Sequence, residues 1–86
     1  MKFADTYVSR EHRFSIGVEE DSGRKFVSIP VSSRAVDYEY YEIGEVEYGR
    51  FVRNPLDALD FVTECRRRIN DDRLIIKPGW NRGTPV

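Results

Sequence analysis

From Phe14 the chain alternates. Phe14, Ile16 and Val18 are apolar, with Ser15, Gly17 and Glu19 between them. After Glu20-Asp21-Ser22-Gly23-Arg24 the alternation resumes through Val27, Ile29 and Val31. Side chains two apart share one face of a strand, so this pattern predicts a β-hairpin with one half-buried face. A turn centred on Ser22-Gly23 would set Val18 opposite Val27, Ile16 opposite Ile29 and Phe14 opposite Val31. The same register would set Glu20 against Lys25 and Asp21 against Arg24. Pro30 has no N–H, so the second strand is expected to miss a ladder bond near its end.

The next run, Val36-Asp37-Tyr38-Glu39-Tyr40-Tyr41-Glu42-Ile43, is rich in residues that favour strands. Period two places Tyr41 and Ile43 on one face and Tyr38, Tyr40 and Glu42 on the other. Over 45–53 the spacing of Tyr48, Phe51 and Val52 fits a helical face, and a short helix is expected over a strand through Val46 and Tyr48. Asn54-Pro55 then reads as a helix start, with Asn at the cap and Pro at the first helical position. Asp57 and Asp60 lie near its positive end and Arg66, Arg67 and Arg68 near its negative end. Ala58, Leu59, Phe61, Val62, Cys65 and Ile69 fall on one face, which predicts an amphipathic helix over 55–69. Glu64 is placed to pair with Arg68 one turn on.

Asn70-Asp71-Asp72 should end that helix, and Leu74-Ile75-Ile76 suits a last short strand. Pro78-Gly79 reads as a turn, and Trp80 to Val86 as a tail with Trp80 as its anchor. Residues 1–11 fit no period well and read as an extended arm with a short strand near Tyr7. The expected fold class is α+β: an antiparallel meander of three to four strands with one or two helices packed on one face. One domain is expected over 1–86, with an arm at 1–11, a core at 12–77 and a tail at 78–86.

Composition narrows the class. Hydrophobic residues make up 40% of the 86 residues and aromatics 13%, enough apolar surface to fold despite a charged fraction of 34%. So short a chain buries only about 60–65% of its unfolded surface, which makes self-association a ready source of extra stability. The formal net charge of -1 gives no overall basic field toward nucleic acid or anionic membrane. There is 1 Cys, which excludes an internal disulfide. The first ten residues carry no signal-peptide run, and no apolar stretch is long enough to span a bilayer, so a cytoplasmic protein is expected.

Chemistry-bearing residues are sparse. Cys65 sits mid-face near the C-terminal end of its helix, where the dipole raises a thiol pKa, and reads as core. His12 is the only histidine, so a Cys/His zinc site within one chain is excluded. Glu19-Glu20 and Asp71-Asp72 fall at turns, where solvation leaves carboxylates ordinary. Asp71-Asp72 lacks the regular alternation of a calcium loop. No phosphate loop, dinucleotide fingerprint or nucleophile elbow is present. No catalytic residue, metal site or cofactor is assigned.

Two surfaces remain. The sheet face opposite the helices would carry Phe26, Tyr38 and Tyr40 with Pro30, beside Arg34 and with Trp80 in the tail. Aromatic and Arg anchors with few Lys make interface chemistry. The leading expectation is therefore a non-catalytic protein-interaction module, a homodimer through this face or a strand edge. The competing expectation for that face is that the arm or the tail covers it. Arg66, Arg67, Arg68, Arg73, Lys77 and Arg82 form the most basic region, and the alternative is a nucleic-acid accessory domain using them. A second alternative is a small enzyme with a site completed at a dimer interface, built on His12 or a carboxylate pair.

Overall fold

The computed structural model describes residues 1–86. Four strands lie side by side in chain order, all antiparallel: β1 (Phe3–Ser9), β2 (Phe14–Glu19), β3 (Lys25–Ser32) and β4 (Val36–Ile43). Then come α1 (Glu45–Arg53), a 3₁₀ turn at Pro55–Ala58, α2 (Leu59–Arg66) and a second 3₁₀ turn at Asp71–Arg73. A two-residue strand, β5 (Thr84–Pro85), pairs with the end of β3. The α+β meander with two helices is the predicted class. One core of 13 residues joins the alternating face of the sheet (Phe14, Ile16, Val27, Ile29, Val31, Tyr41, Ile43) to Phe51 of α1 and to Ala58, Phe61, Val62, Cys65 and Leu74. No helix is long and apolar enough to cross a membrane.

The hairpin keeps its predicted face but not its predicted pairing. Ile16 stands opposite Val27 and Ser15 opposite Ser28, a slip of two residues. A slip of two preserves which side chains face the core, so the pattern alone could not detect it. The loop decides it. Glu19 N–H donates to the Arg24 carbonyl at 2.8 Å, and Gly23 N–H to the Glu19 carbonyl at 2.8 Å, with Gly23 at φ 75. Residues 20–23 thus form a four-residue loop that needs glycine's left-handed freedom.

The Glu19 side chain anchors that loop. Its carboxylate accepts from Ser22 Oγ (2.6 Å), from the Ser22 N–H (2.9 Å) and from the Asp21 N–H (3.1 Å). A fourth bond, from the Lys2 N–H at 2.8 Å, ties in the start of β1. Donors aimed at the ionised form hold this carboxyl down to about 2, the Ser22 hydroxyl contributing most. The pairs predicted across the turn do not form. Lys25 reaches Glu45 at 3.4 Å and Arg24 reaches Glu42 at 3.9 Å.

Residues 3–9 are not a loose arm but a full edge strand on β2. Their register jumps between Asp5 and Tyr7, a bulge at Thr6. Gly17 permits the approach. A Cβ there would collide with the Ala4 carbonyl oxygen and lie 2.7 Å from the Phe26 ring. With β1 drawn in, Phe3 stacks on Tyr40 at 3.7 Å between centroids. Both rings meet Phe26 edge-on, at 5.5 and 5.0 Å. Phe26 is therefore fully buried on the face expected to be open, and its covering is the N-terminal strand rather than the tail.

The helix predicted over 55–69 is broken at both ends. Pro55–Ala58 is 3₁₀. Asn54 Nδ2 donates to Asp57 Oδ1 at 3.2 Å, and its side chain does not cap. At the other end Arg68 takes φ 62. Its N–H donates to the Cys65 carbonyl, and the Ile69 N–H to the Glu64 carbonyl, both at 3.0 Å. This is the paired closure normally made with glycine in the left-handed position. It swings Ile69 off the buried face, leaving it 57% exposed. It also takes Arg68 away from Glu64, which accepts instead from Asn70 Nδ2 at 3.3 Å. The α1 helix forms as expected. Glu47 accepts from the Gly44 N–H at 2.9 Å, acidic residues lie in its first turn, and Arg50 and Arg53 in its last.

Leu74-Ile75-Ile76 does not become a strand. Leu74 makes one bridge to Tyr41, and Ile75 N–H donates to the Tyr40 carbonyl at 2.9 Å. The tail supplies the fifth strand instead, pairing Thr84 with Ser32 and Pro85 with Val31. Gly83 allows it, since a Cβ there would press to 3.0 Å on the Ser32 backbone. The β2 ladder on β3 stops at Ser28 and that of β5 begins at Val31. Pro30, lacking an N–H, sits in the gap as expected.

Two outcomes follow from these contacts. Gly17→Ala should lower stability by about 2–3 kcal/mol, the cost of overpacking where backbone blocks relief, read as a lower urea midpoint with unchanged slope. Glu19 contributes stability that is complete above its ordinary pKa of 4.5 and is lost as pH falls toward about 2. Glu19→Gln should therefore be less stable than the parent at neutral pH and converge on it in acid, in paired urea melts at each pH.

Candidate functional site

The half-open sheet face and the C-terminal segment meet at Tyr38, which is 51% exposed. On one side of its ring runs a cleft of about 280 Å³ between β4 and residues 76–83, lined by Asp37, Glu39, Lys77, Asn81 and Arg82. On the other side lies a groove of about 360 Å³ across the middle of the sheet.

The cleft is floored by a polar network. Arg82 forks onto two carboxylates. Its Nε and Nη2 donate to Glu39 at 2.7 and 3.1 Å, and its Nη1 and Nη2 donate to Asp71 at 2.7 and 2.8 Å. The Tyr41 hydroxyl donates to Glu39 Oε1 at 2.7 Å. Glu39 and the Arg82 side chain are 9% and 13% exposed, so this is a largely desolvated bidentate pair. The guanidinium's hydrogen bonds hold the Asp71 carboxyl below its usual range. Burial, then the bond to Glu39, push the Tyr41 phenol up, keeping it a donor. The C-terminal segment is thus strapped to the sheet by Arg82, by Arg68 Nη2 donating to the Gly83 carbonyl (3.2 Å), and by β5. An Arg in a polar tail gave no sequence signal for this role. Glu39 did, because it stands on the core-facing side of β4, where an ionised group requires a partner.

The groove arises from small residues. Ser15 of β2 faces Ser28 of β3, in one row between Val8 of β1 and Tyr40 of β4. Val8, Pro30 and Tyr38 wall it, and Arg10 and Arg13 stand at one end. Ser15 and Ser28 are 9% and 2% exposed. The alternation Ser15-Gly17 and Ser28-Pro30 is visible in the sequence as small residues on the second face of both central strands.

The predicted interaction residues divide. Tyr38, Arg34 and Trp80 are exposed, Trp80 at 96%, so it anchors nothing within the chain. Phe26 is sealed and Tyr40 is half-buried under Phe3. Burial and the nearby Asp5 raise the Tyr40 phenol.

The six basic residues do not form one free patch. Arg66 Nη2 donates to the His12 and Arg13 carbonyls at 2.7 and 2.9 Å, and Arg73 Nη1 to Glu42 O at 3.2 Å. Arg68 and Arg82 are engaged as above. Arg67 and Lys77 alone are exposed without such bonds. The other four are spent on acceptors of the fold: the carbonyls of His12, Arg13, Glu42 and Gly83 and the carboxylates of Glu39 and Asp71.

His12 lies in a cleft against α2, and its ring has one ionic neighbour, Glu11 at 3.8 Å. No hydroxyl or thiol is hydrogen-bonded to that ring. Cys65 is fully buried and desolvation pushes its thiol up to about 12, which fits its core assignment. No group of three or more His, Cys, Asp or Glu side chains is gathered as for a metal ion.

Removing Arg82 strands the Glu39 charge beneath the strap. Arg82→Ala should cost about 2–3 kcal/mol, less than for a fully buried pair because Asp71 is partly solvated. Arg82→Lys should recover under half of that, since an ammonium cannot fork onto two carboxylates; urea melts of the three proteins measure both. No protein-family model, curated protein or solved structure matches this chain.

Proposed function

We propose that this domain is a non-catalytic protein-interaction module that works as a homodimer. Its contact surface is the rim formed by Trp80, Ile76, Tyr38 and Val36, with Arg34 beside them. The observation that carries the reading is Trp80 at 96% exposure. An indole fully in water forgoes the burial that makes Trp a dominant interface anchor. Ile76, Tyr38 and Val36 are 52%, 51% and 61% exposed, and Ile76 and Tyr38 line the same cleft. A second copy is the partner favoured by charge, because a net charge of -1 gives little repulsion between identical chains. A standard contact of about 800 Å² per partner is roughly one-seventh of the 5525 Å² accessible surface.

Trp80 is the only tryptophan, so its emission reports the contact directly. Light scattering over a wide concentration range should give twice the chain mass of 10.1 kDa, with emission shifting to the blue as mass doubles. Trp80→Ala and Ile76→Asp should each weaken association by about tenfold or more. A single-chain mass throughout, with solvent-exposed emission, would overturn the reading.

A further inference from the structure

The groove on the far side of Tyr38 has features that self-association through the strap rim does not use. Its floor holds two hydroxyls, Ser15 and Ser28, directly opposite each other. Both residues are at least nine-tenths buried, and neither hydroxyl has a hydrogen-bond partner within the chain. No buried side-chain polar atom of the domain is sealed without a partner, so both hydroxyls open onto the groove. Each hydroxyl therefore presents a donor and an acceptor to the groove that a ligand atom placed over it can take.

The end of the groove is cationic. Arg10 and Arg13 line it, and neither guanidinium makes an ion pair or hydrogen bond to any carboxylate of the chain. Glu11, between them in sequence, lines the cleft against α2 with His12; Arg13 stands between that cleft and the groove and borders both. Arg13 sits at φ 54, a left-handed conformation that an ordinary side chain adopts at a cost and that glycine adopts freely. Arg66 pins the turn through the His12 and Arg13 carbonyls. The chain thus holds an arginine, under backbone strain, at the mouth of a groove with unused donors.

The walls are apolar: Val8, Pro30 and the Tyr38 ring. A volume of about 360 Å³ falls at the small end of the range for ligand sites. We propose that this groove binds a small organic anion: a flat apolar body with a carboxylate at one end and a hydroxyl or carbonyl substituent along it. The carboxylate takes the Arg10 and Arg13 guanidiniums, the body lies against Val8, Pro30 and Tyr38, and the substituent takes the Ser15 and Ser28 hydroxyls. Bidentate guanidinium–carboxylate geometry supplies the charge selectivity.

The test uses para-hydroxybenzoate as probe and para-hydroxybenzamide as its uncharged counterpart, titrated into the isotope-labelled protein and read by amide chemical shift. The benzoate should give saturable shifts centred on Val8, Ser15, Ser28 and Tyr38, and the benzamide should bind about tenfold more weakly or worse. Arg13→Gly separates a binding role from a structural one. It should weaken the benzoate about tenfold while raising the urea midpoint, because the strain is relieved. Ser28→Ala should weaken it by a smaller factor. Shifts that are diffuse or do not saturate up to the solubility limit would overturn the proposal, as would equal binding of the benzamide or undiminished binding by Arg13→Gly. Molar mass in the same samples reads self-association separately, so either reading can fail without the other.

Discussion

The close approach of β1 to β2 at Gly17 governs which surfaces this domain keeps. Where other strand residues project a Cβ, Gly17 leaves room for the Ala4 carbonyl and the Phe26 ring. The approach brings Phe3 over Tyr40 and Phe26, across the width of the sheet. One half of the second face is thereby closed by three packed aromatic rings, a small core of its own. The other half stays open as a groove, because Ser15 and Ser28 on its floor are too small to fill it. A single missing methyl group thus divides a sheet face into a sealed half and a groove.

The C-terminal segment is held by a different kind of contact. It has few large apolar groups turned inward, so it docks by charge and by backbone pairing. Arg82 neutralises Glu39, which faces the core side of β4, and gathers Asp71 from the turn after α2. The arrangement works because the partners satisfy one another: the guanidinium makes four hydrogen bonds to two carboxylates, and Tyr41 supplies a further donor to Glu39. The strap carries the exposed Trp80 and walls the cleft on one side of Tyr38.

The two proposed surfaces are products of these two contacts. The Gly17 closure leaves the groove with its serine floor. The Arg82 clamp holds the segment that sets the exposed Ile76 beside Tyr38 and carries Trp80. Of the six basic residues, Arg66, Arg68, Arg73 and Arg82 are spent on the fold itself, at the turn before β2, the end of β4 and the strap.

Period-two alternation by itself determined the core face of the hairpin and the burial of Tyr41 and Ile43, because alternation depends only on backbone pleat. The 3.6 period determined α1 and the buried stripe of Phe61, Val62 and Cys65 for the same local reason. Local pattern could not determine pairing register, since slips of two leave the pattern intact and the Glu19 carboxylate chose the loop. Nor could it find the end of α2, where Arg68 adopts a conformation expected of glycine, or the strand character of the two chain ends. Phe3 has a partner only once Gly17 lets β1 close, and Thr84-Pro85 has one only once β2 stops short of Pro30. The sealing of Phe26, the groove over Ser15 and Ser28, and the engagement of Arg82 all join residues distant in sequence. Tertiary structure alone decided them, because each depends on which backbones come into contact rather than on the residues in between.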